Sequence, residues 1–399
     1  MKIKNIMIAT AATAALFGAC KSDMVDGVSI AERTLSGLNP SDFDTVYVDE
    51  MRGAKDVHLY TLRNANGMEV CITNFGGRIA SVMVPDRDGK MRDVVLGFDN
   101  AADFFPQNNS SDFGAIIGRY ANRLNQGRIE VDGQTIQLPQ NNGPHCLHGG
   151  FTGWQYQVYD VERPDSTSLV LTMVSPDGDN NFPGEMQVKV VYTLTDDNAI
   201  EIKYEATTDK TTVINMTNHS YFNLNSDAAS GLGEMPITNH ILTIDADSYT
   251  PVDNTFMTTG EILPVEGTPM DFRQPKEVGK DISNFEFEQL KNGNGYDHNW
   301  VLNTKGNATR PCAHLVSPVT GIALDVYTTE PGMQVYTGNF LDGTVKGKGG
   351  VAYPQRGAIC LETQKYPDSP NKHWAESNAY LHPGEVYHSY CKFKFSVER

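Results

Sequence analysis

The stretch MQVKVVYTLTDDNAIEIKYEA, residues 186–206, decides the class of fold. Apolar side chains alternate with polar ones over residues 188–194 and again over residues 200–204, and the polar residues 196–198 lie between the two runs. Because a period of two places alternate side chains on one face of a strand, each run predicts a half-buried β-strand. The polar turn between the runs predicts an antiparallel hairpin.

The same period of two recurs along most of the chain. Short alternating runs flank Asp88-Gly89 and Asp132-Gly133, and Asp-Gly supplies the positive φ that a tight hairpin turn needs. Residues 387–395 alternate again, whereas helical patterns are few and short, as at residues 281–290. The sequence therefore predicts an all-β fold, with one large antiparallel domain over residues 46–399.

Length and composition favour a globular protein with a neutral ligand. The chain has 399 residues, of which 39% are hydrophobic, and its formal net charge is -17 at pH 7. The apolar fraction suffices for a sizeable core. Phosphate backbones repel such an acidic chain unless it carries a basic patch, and the sequence shows none. These features argue against nucleic acid as a partner.

The N-terminus has the pattern of an export signal. Two lysines precede an apolar stretch, residues 6–17, and Cys20 follows small residues. We interpret residues 1–20 as a lipoprotein-type signal peptide in which Cys20 is lipidated, the alternative being an ordinary cleaved signal peptide. Residues 21–45 are polar and aperiodic, which predicts a flexible tether. The expected location is the periplasm or cell envelope, with membrane contact only through the lipid anchor.

The spacing of the cysteines beyond Cys20 does not indicate a disulfide framework or a metal site. They are odd in number, widely scattered and without a C-x-x-C pair. Such spacing is not typical of a disulfide scaffold or a zinc site. Cys360 and Cys391 lie in alternating runs and are predicted to be buried thiols.

Two segments place polar residues where an ordinary strand would be apolar. The segment TTVINMTNHSYFNL, residues 211–224, puts a row of hydrogen-bonding groups that includes His219 on one face of a predicted strand. Such a face suits the floor of a sugar site. The segment GAICLETQ, residues 357–364, leads along small residues to Glu362 at the end of an apolar strand. A carboxylate with small neighbours suits a positioned base.

Two further segments offer ligand-binding groups. The segment GPHCLHGG, residues 143–150, presents His148 beside glycines that let a ligand approach the backbone. The segment GRYANRL, residues 118–124, offers Asn122 and Arg123 as hydrogen-bond donors. Both segments therefore predict contacts to a polar ligand.

Each of these residues also has a purely structural interpretation. His219 could be a hydrogen-bonded core histidine, Glu362 a charge on an edge strand, and the asparagine–arginine pair a loop cap. His145 and His148 form H-x-x-H, but the glutamate of the H-E-x-x-H zinc motif is absent. The residues alone indicate a carbohydrate-like site in a β-sandwich and nothing more specific.

Taken together and in order, these segments resemble the signature set of the aldose 1-epimerase (galactose mutarotase) family. The resemblance runs from about residue 50 to the C-terminus, and the order of many short motifs makes it specific. The family's fold is a large antiparallel β supersandwich, which agrees with the all-β interpretation. Further matching motifs are VVLGFDN (94–100), YTPVDNT (249–255), TPMDFR (268–273), GYDHNWVL (295–302), EPGMQVYTGNFLDG (330–343) and ETQKYPDSPN (362–371).

The resemblance implies interconversion of the α and β anomers of a free hexose such as glucose or galactose, without cofactor or metal, by a monomer or weak dimer. It makes Glu362 the general base and His219 the general acid. Opening a hemiacetal requires deprotonation of the anomeric hydroxyl and protonation of the ring oxygen, and a carboxylate and an imidazolium can perform these two tasks. The sugar-binding residues that the resemblance implies are Asn122, Arg123, His148, Asp297 and Gln334.

Three other functions stay open from the sequence. A surface lipoprotein could bind sugar without catalysis, although binding alone needs no acid and base pair. A related enzyme could act on a phosphorylated hexose, which would require additional cationic groups at the pocket. A glycoside hydrolase or lyase on a similar sandwich is the third alternative.

Overall fold

The chain divides into two units, residues 1–33 and residues 34–399. In the first unit the described elements are β1 (Met24–Val25) and β2 (Val28–Ser29), which pair antiparallel. The predicted signal peptide with Cys20 lies outside the described residues. Besides these two strands, the computed structural model describes residues 33–109, 111–225 and 236–399.

Strands dominate the second unit. Its first half contains β3 (Thr45–Asp49), β4 (Gly53–Val57), β5 (Leu59–Arg63), β6 (Glu69–Thr73), β7 (Arg78–Pro85), β8 (Met91–Asp93), β9 (Ala115–Ile117), β10 (Arg123–Leu124), β11 (Arg128–Val131), β12 (Gln134–Gln137), β13 (Cys146–Leu147), β14 (Asp160–Glu162), β15 (Ser168–Ser175), β16 (Met186–Leu194) and β17 (Ala199–Thr208). Its second half contains β18 (Thr212–Val213), β19 (Thr217–His219), β20 (Ile241–Ile244), β21 (Ser248–Thr250), β22 (Leu263–Pro264), β23 (Lys276–Glu277), β24 (Asp297–Val301), β25 (Ala313–Val316), β26 (Ile322–Thr328), β27 (Gly332–Tyr336), β28 (Cys360–Gln364), β29 (Tyr380–Leu381) and β30 (Tyr387–Val397).

A nine-stranded antiparallel sheet is the largest layer, with the strand order β14-β15-β16-β17-β30-β26-β25-β20-β23. The hairpin predicted from residues 186–206 is β16 and β17. Its alternation is confirmed, because Val188, Val190 and Tyr192 are buried while Lys189 is exposed. The C-terminal strand β30 lies inside the sheet, between β17 and β26.

A five-stranded sheet, in the order β22-β21-β24-β27-β28, is the second large layer. Residues of both sheets share one hydrophobic core, in which Tyr204 and Phe393 of the larger sheet and Trp300 and Val335 of the smaller one are almost fully buried. Two sheets that bury their facing side chains against each other form a β-sandwich. The predicted all-β class is therefore confirmed.

Both predicted Asp-Gly turns are confirmed. β7 pairs with β8 across Asp88-Gly89, and β11 pairs with β12 across Asp132-Gly133. At the second turn φ is +50° at the aspartate and +76° at the glycine, a left-handed conformation that these two residue types tolerate well.

Helices are short throughout the described residues. The pattern at residues 281–290 corresponds to α1, which begins only at Glu288 (Glu288–Gly293), and α2 spans Ser369–Lys372. No helix in the described part of the chain has the length and hydropathy needed to cross a membrane. The 3-10 turns span Pro40–Phe43, Ala102–Phe104, Asn125–Gly127, Trp154–Tyr156, Asp179–Asn181, Ile237–Asn239, Val278–Lys280 and Lys348–Gly350.

Packing of the second unit begins before residue 46, the boundary expected from composition. Leu38 and Phe43 are buried, and the ring of Phe43 lies 6.4 Å from that of Phe104. The folded unit thus includes the last part of the segment 21–45. These few apolar residues have no periodicity, so a sequence pattern does not reveal them.

The cysteines of the second unit have free thiols and are all buried. Burial raises the pKa of Cys391 to about 12. The prediction of buried thiols at Cys360 and Cys391 is therefore confirmed, and the remaining members of the group are Cys71, Cys146 and Cys312.

Candidate active site

One cavity of about 360 Å³ brings together all the residues that the sequence assigns to catalysis and sugar binding. Asp297, Gln334 and Glu362 reach it from the neighbouring strands β24, β27 and β28, and His219 reaches it from the end of β19. Its lining consists of Asp112, Asn122, Arg123, Asn142, Leu147, His148, His219, Tyr221, Phe256, Asp297, Gln334, Tyr336, Phe340 and Glu362.

Glu362 and His219 lie next to each other in this cavity. Oε1 of Glu362 is 3.5 Å from Nε2 of His219, and the two side chains are only 2% and 6% exposed. Gln334 stands directly opposite Glu362 in the β27–β28 pairing, and Ala115 of β9 stands opposite His219. Backbone pairing on both sides therefore holds the carboxylate and the imidazole in one place, where they can act on a single small ligand.

Burial controls the protonation of this pair. Desolvation lowers the pKa of His219 to about 4. Desolvation, followed by the charges of Asp297 and Asp112, raises the pKa of Glu362 well above its usual value, and Arg123 opposes this rise. Both shifts favour the neutral form of the side chain, a protonated Glu362 and an uncharged His219. Over a broad range of pH the free pair therefore carries one titratable proton, counted from ionised Glu362 and neutral His219.

The two histidines of the cavity differ in their hydrogen bonds. Nδ1 of His148 accepts a hydrogen bond from the backbone N–H of Asn122 at 3.1 Å, so the proton of the neutral ring is on Nε2. Nδ1 of His219 has no hydrogen-bond partner among the described residues. The ring of Tyr221 stacks on that of His219, with 5.1 Å between centroids. His148 is therefore fixed as an N–H donor, whereas His219 has no such restriction.

A glycine is required beside His148. A Cβ on Gly149, whose φ is +81°, would lie 2.2 Å from the carbonyl oxygen of Gly118. That oxygen also accepts a hydrogen bond from the N–H of Trp154 at 3.0 Å, so it cannot easily move away. The two motif loops consequently pack backbone against backbone, which holds His148 at the cavity wall.

The remaining predicted residues supply hydrogen-bonding groups. Nε of Arg123 donates to Oδ1 of Asn142 at 3.0 Å, and its guanidinium carbon lies 5.0 Å from the ring centre of Phe256. Nε2 of Gln334 donates to Oδ1 of Asp297 at 2.8 Å and thereby ties β27 to β24. These contacts hold donors and acceptors in place before a ligand binds.

The cavity also contains residues that sequence reasoning did not assign. Phe256 and Phe340 form an edge-to-face pair at 5.6 Å, and Phe340 is 57% exposed. Phe256 follows the YTPVDNT motif and Phe340 lies inside the EPGMQVYTGNFLDG motif, so proximity to a motif could have indicated both residues. Asp112 precedes the GRYANRL segment and carried no such signal. The other unassigned residues are Asn142, Leu147, Tyr221 and Tyr336.

Two groups of side chains have the spacing of metal ligands among the described residues: Asp112 with His148 and His219, and His219 with Cys360 and Glu362. A histidine that binds a metal through one nitrogen normally donates the N–H of the other. His148 cannot do so, because its Nδ1 already accepts an N–H. Burial raises the pKa of the Cys360 thiol well above its usual value, which disfavours the thiolate. This donor chemistry does not fit a catalytic metal.

The H-x-x-H pair does not form a metal site either. Nδ1 of His145 accepts a hydrogen bond from the N–H of Gln126 at 3.1 Å, and Nε2 lies 2.8 Å from the hydroxyl of Thr255. Both ring nitrogens of His145 are thus used in holding loops together. His148 alone of the pair reaches the cavity.

The chain is similar to several known proteins. Residues 58–394 match the family model described as aldose 1-epimerase. The chain is 42% identical over 353 residues to the galactose mutarotase of Rattus norvegicus, which covers 88% of this chain and 98% of that protein. It is 37% identical over 342 residues to the aldose 1-epimerase of Escherichia coli (strain K12), with 85% and 95% covered. The structure is similar to that of an aldose epimerase homologue from C. elegans, with a TM-score of 0.75 and 30% identity over 86% of this chain and 100% of that chain.

Proposed function

The chain belongs to the aldose 1-epimerase family and interconverts the anomers of aldoses, and we propose that Glu362 is the general base and His219 the general acid of this reaction. The observation that supports the assignment is the 3.5 Å approach of these two buried side chains inside a cavity of hydrogen-bonding groups. Free hexoses such as glucose and galactose are the proposed substrates.

The reaction requires two proton transfers at oxygens bonded to the same carbon. Glu362 removes the proton of the anomeric hydroxyl while His219 protonates the ring oxygen, and the bond between the anomeric carbon and the ring oxygen breaks. Rotation about the next carbon–carbon bond turns the other face of the aldehyde toward the ring hydroxyl. Closure then reverses both proton transfers, each of which contributes about 10²–10⁴-fold to the rate.

The single proton of the pair is sufficient for this cycle. In the free site, burial places it on Glu362, because the pKa of the carboxyl is raised and that of His219 is lowered to about 4. In the complex, the anomeric hydroxyl donates to the carboxylate and the ring oxygen accepts from the imidazolium. These two hydrogen bonds stabilise the charged form of each side chain, so sugar binding favours transfer of the proton to His219.

His219, and not His148, is the proposed acid. Protonation of His148 on Nδ1 would place a second N–H against the backbone N–H of Asn122, which already donates to that nitrogen. His148 instead keeps its proton on Nε2 and donates a hydrogen bond to a sugar oxygen.

The activity is tested by NMR magnetisation exchange or polarimetry with freshly dissolved α-glucose and α-galactose. The purified protein should accelerate anomer interconversion of at least one of these sugars at catalytic concentration. A protein that only binds sugar would perturb the ligand resonances without acceleration, and that result would refute the catalytic proposal.

The pH profile of kcat/KM should be bell-shaped. Activity should fall below about pH 4, because His219 then gains a proton while Glu362 is still protonated. It should fall on the alkaline side as Glu362 loses its proton, and its raised pKa moves this limb well above the usual carboxylate range. Measurement of exchange rates from pH 3 to 10 at subsaturating sugar tests the profile. An acid limb that lies near the usual pKa of histidine instead of near pH 4, or an alkaline limb at the usual carboxylate pKa, would contradict it.

Substitution of Arg123 should change KM much more than kcat. Replacement by lysine keeps the charge but loses the guanidinium contacts to Asn142 and Phe256, and we expect a roughly tenfold rise in KM with little change in kcat. The matched control is Arg128→Lys, because Arg128 is an exposed arginine of the same region. A loss confined to kcat would show that Arg123 acts in the chemical step instead.

We propose that the protein is exported and carries a lipid on Cys20. The support is the order of charged, apolar and small residues before that cysteine. Mass spectrometry of the N-terminus of protein from its native host should find a lipid-modified Cys20 as the first residue. An unmodified N-terminus at another residue would exclude the lipoprotein and leave the ordinary signal peptide.

A further inference from the structure

Asp112 is a carboxylate of the cavity that transfers no proton in the proposed reaction, although its charge contributes to the raised pKa of Glu362. One of its oxygens lies within 4.8 Å of a ring nitrogen of both His148 and His219. Its hydrogen bond from a side chain is long, with the hydroxyl of Tyr156 donating to Oδ1 at 3.5 Å. A carboxylate can accept several hydrogen bonds, so Asp112 has acceptor capacity left for a ligand.

The backbone around Asp112 is held by a buried cation. Nη1 of Arg78, a fully buried side chain, donates to the carbonyl oxygens of Ser111 at 2.9 Å and Phe113 at 3.2 Å. The N–H of Ala115 donates to the carbonyl oxygen of Asp112 itself at 3.1 Å. Hydrogen bonds on both sides of Asp112 therefore fix its position, unlike that of an aspartate on a loose surface loop.

The arrangement of the cavity decides which part of the sugar Asp112 meets. In the proposed function Glu362 contacts the anomeric oxygen and His219 contacts the ring oxygen. From the anomeric carbon the ring continues to C2, whereas from the ring oxygen it continues to C5, which carries C6. Asp297 and Gln334 share the sheet of Glu362, while Asp112 neighbours His219. With the ring in this orientation, Asp112 would face the C5 and C6 side of a bound pyranose.

We propose that Asp112 is a specificity-determining residue for the substituent at C6. The carboxylate accepts a hydrogen bond from a C6 hydroxyl and repels an anionic group at that position. The favoured substrates are then neutral aldohexoses, and the disfavoured ones are pentoses, 6-deoxy sugars, uronates and 6-phosphates. This inference rests on the proposed roles of Glu362 and His219, which orient the ring.

The test pairs a change in the protein with a change in the sugar. Exchange rates are measured for glucose, 6-deoxyglucose, 2-deoxyglucose and glucuronate with the wild type, Asp112→Ala and Asp112→Asn. Asp112→Ala should lower kcat/KM for glucose by roughly tenfold and leave that for 6-deoxyglucose nearly unchanged, because the lost contact is to the C6 hydroxyl. Asp112→Asn, which keeps the shape of the side chain, should raise the glucuronate to glucose ratio by roughly tenfold.

Two controls separate specificity from general damage. Asp160→Asn, at an aspartate of the edge strand β14 whose side chain is 69% exposed, should leave every sugar ratio unchanged. Equal losses with glucose and 6-deoxyglucose, or a loss that depends on the C2 hydroxyl, would overturn the proposal. Failure of the acid–base assignment gives a different signature, because Glu362→Gln would then retain activity on all four sugars.

Discussion

Replacement of Glu362 by glutamine is expected to lower kcat for anomer interconversion by about two orders of magnitude or more. The amide has nearly the same size and can still hydrogen-bond, so the buried site should keep its shape. It cannot accept the proton of the anomeric hydroxyl, and it removes the proton that the free pair shares between Glu362 and His219. Sugar affinity should change far less than kcat, because the other cavity residues are untouched.

The matched control is another buried glutamate. Glu330 is 1% exposed and pairs with Lys365 at 3.2 Å, outside the cavity. Glu330→Gln should reduce thermal stability, because it weakens a buried ion pair, and should leave kcat near the wild-type value. Magnetisation exchange at saturating sugar measures both variants, and near-wild-type exchange with Glu362→Gln would refute the assignment of the base.

Replacement of His219 by asparagine is expected to lower kcat by a similar factor, about 10² or more. Asparagine can donate a hydrogen bond to the ring oxygen but cannot deliver a proton to it. Because ring opening and closure follow the same path in reverse, both anomers should lose the same factor. Near-wild-type exchange with His219→Asn would refute the assignment of the acid.

The two other histidines provide the comparison. His148→Asn should lower kcat less than His219→Asn does, because the backbone N–H of Asn122 fixes His148 as an N–H donor and asparagine can also donate. His240 is fully buried outside the cavity, where its Nε2 accepts a hydrogen bond from the N–H of Leu224 at 2.9 Å. His240→Asn should affect the melting temperature and leave kcat unchanged. If His148→Asn is the more damaging cavity variant, the acid has been assigned to the wrong histidine.

The sequence predicted the fold well where burial is one-sided. In β16, β17 and β30 one face of each strand is buried, so the period of two is visible directly in the residues. The single strand expected over residues 211–224 is instead divided into β18 and β19. Asn215 lies between them, and its side chain bonds the backbone of Ala121 and Lys365 in place of a continuous ladder.

The site was predictable only in part. Residue types that are unusual for a strand face or loop singled out five of the cavity residues. The proposed acid and base roles, and the choice of Asp297 and Gln334, came only from the family resemblance. Asp112 and Phe256 come from irregular loops, where neither periodicity nor residue type distinguishes a ligand contact from a solvated turn. Their placement depends on long-range packing, as with the buried Arg78 that holds the backbone on both sides of Asp112.

The position of β30 has a consequence for how the chain acquires its structure. β30 pairs with β17 on one side and β26 on the other, so that Ala199 lies opposite Lys394, 195 residues further along the chain. The nine-stranded sheet therefore lacks an interior strand until residues 387–397 have been synthesised, and β17 and β26 each present an unpaired edge until then. Closing the sheet joins segments that are far apart in sequence, which makes this step slow relative to hairpin formation. The main sheet thus stays open between β17 and β26 until β30 has been synthesised, whichever hairpins have formed before it.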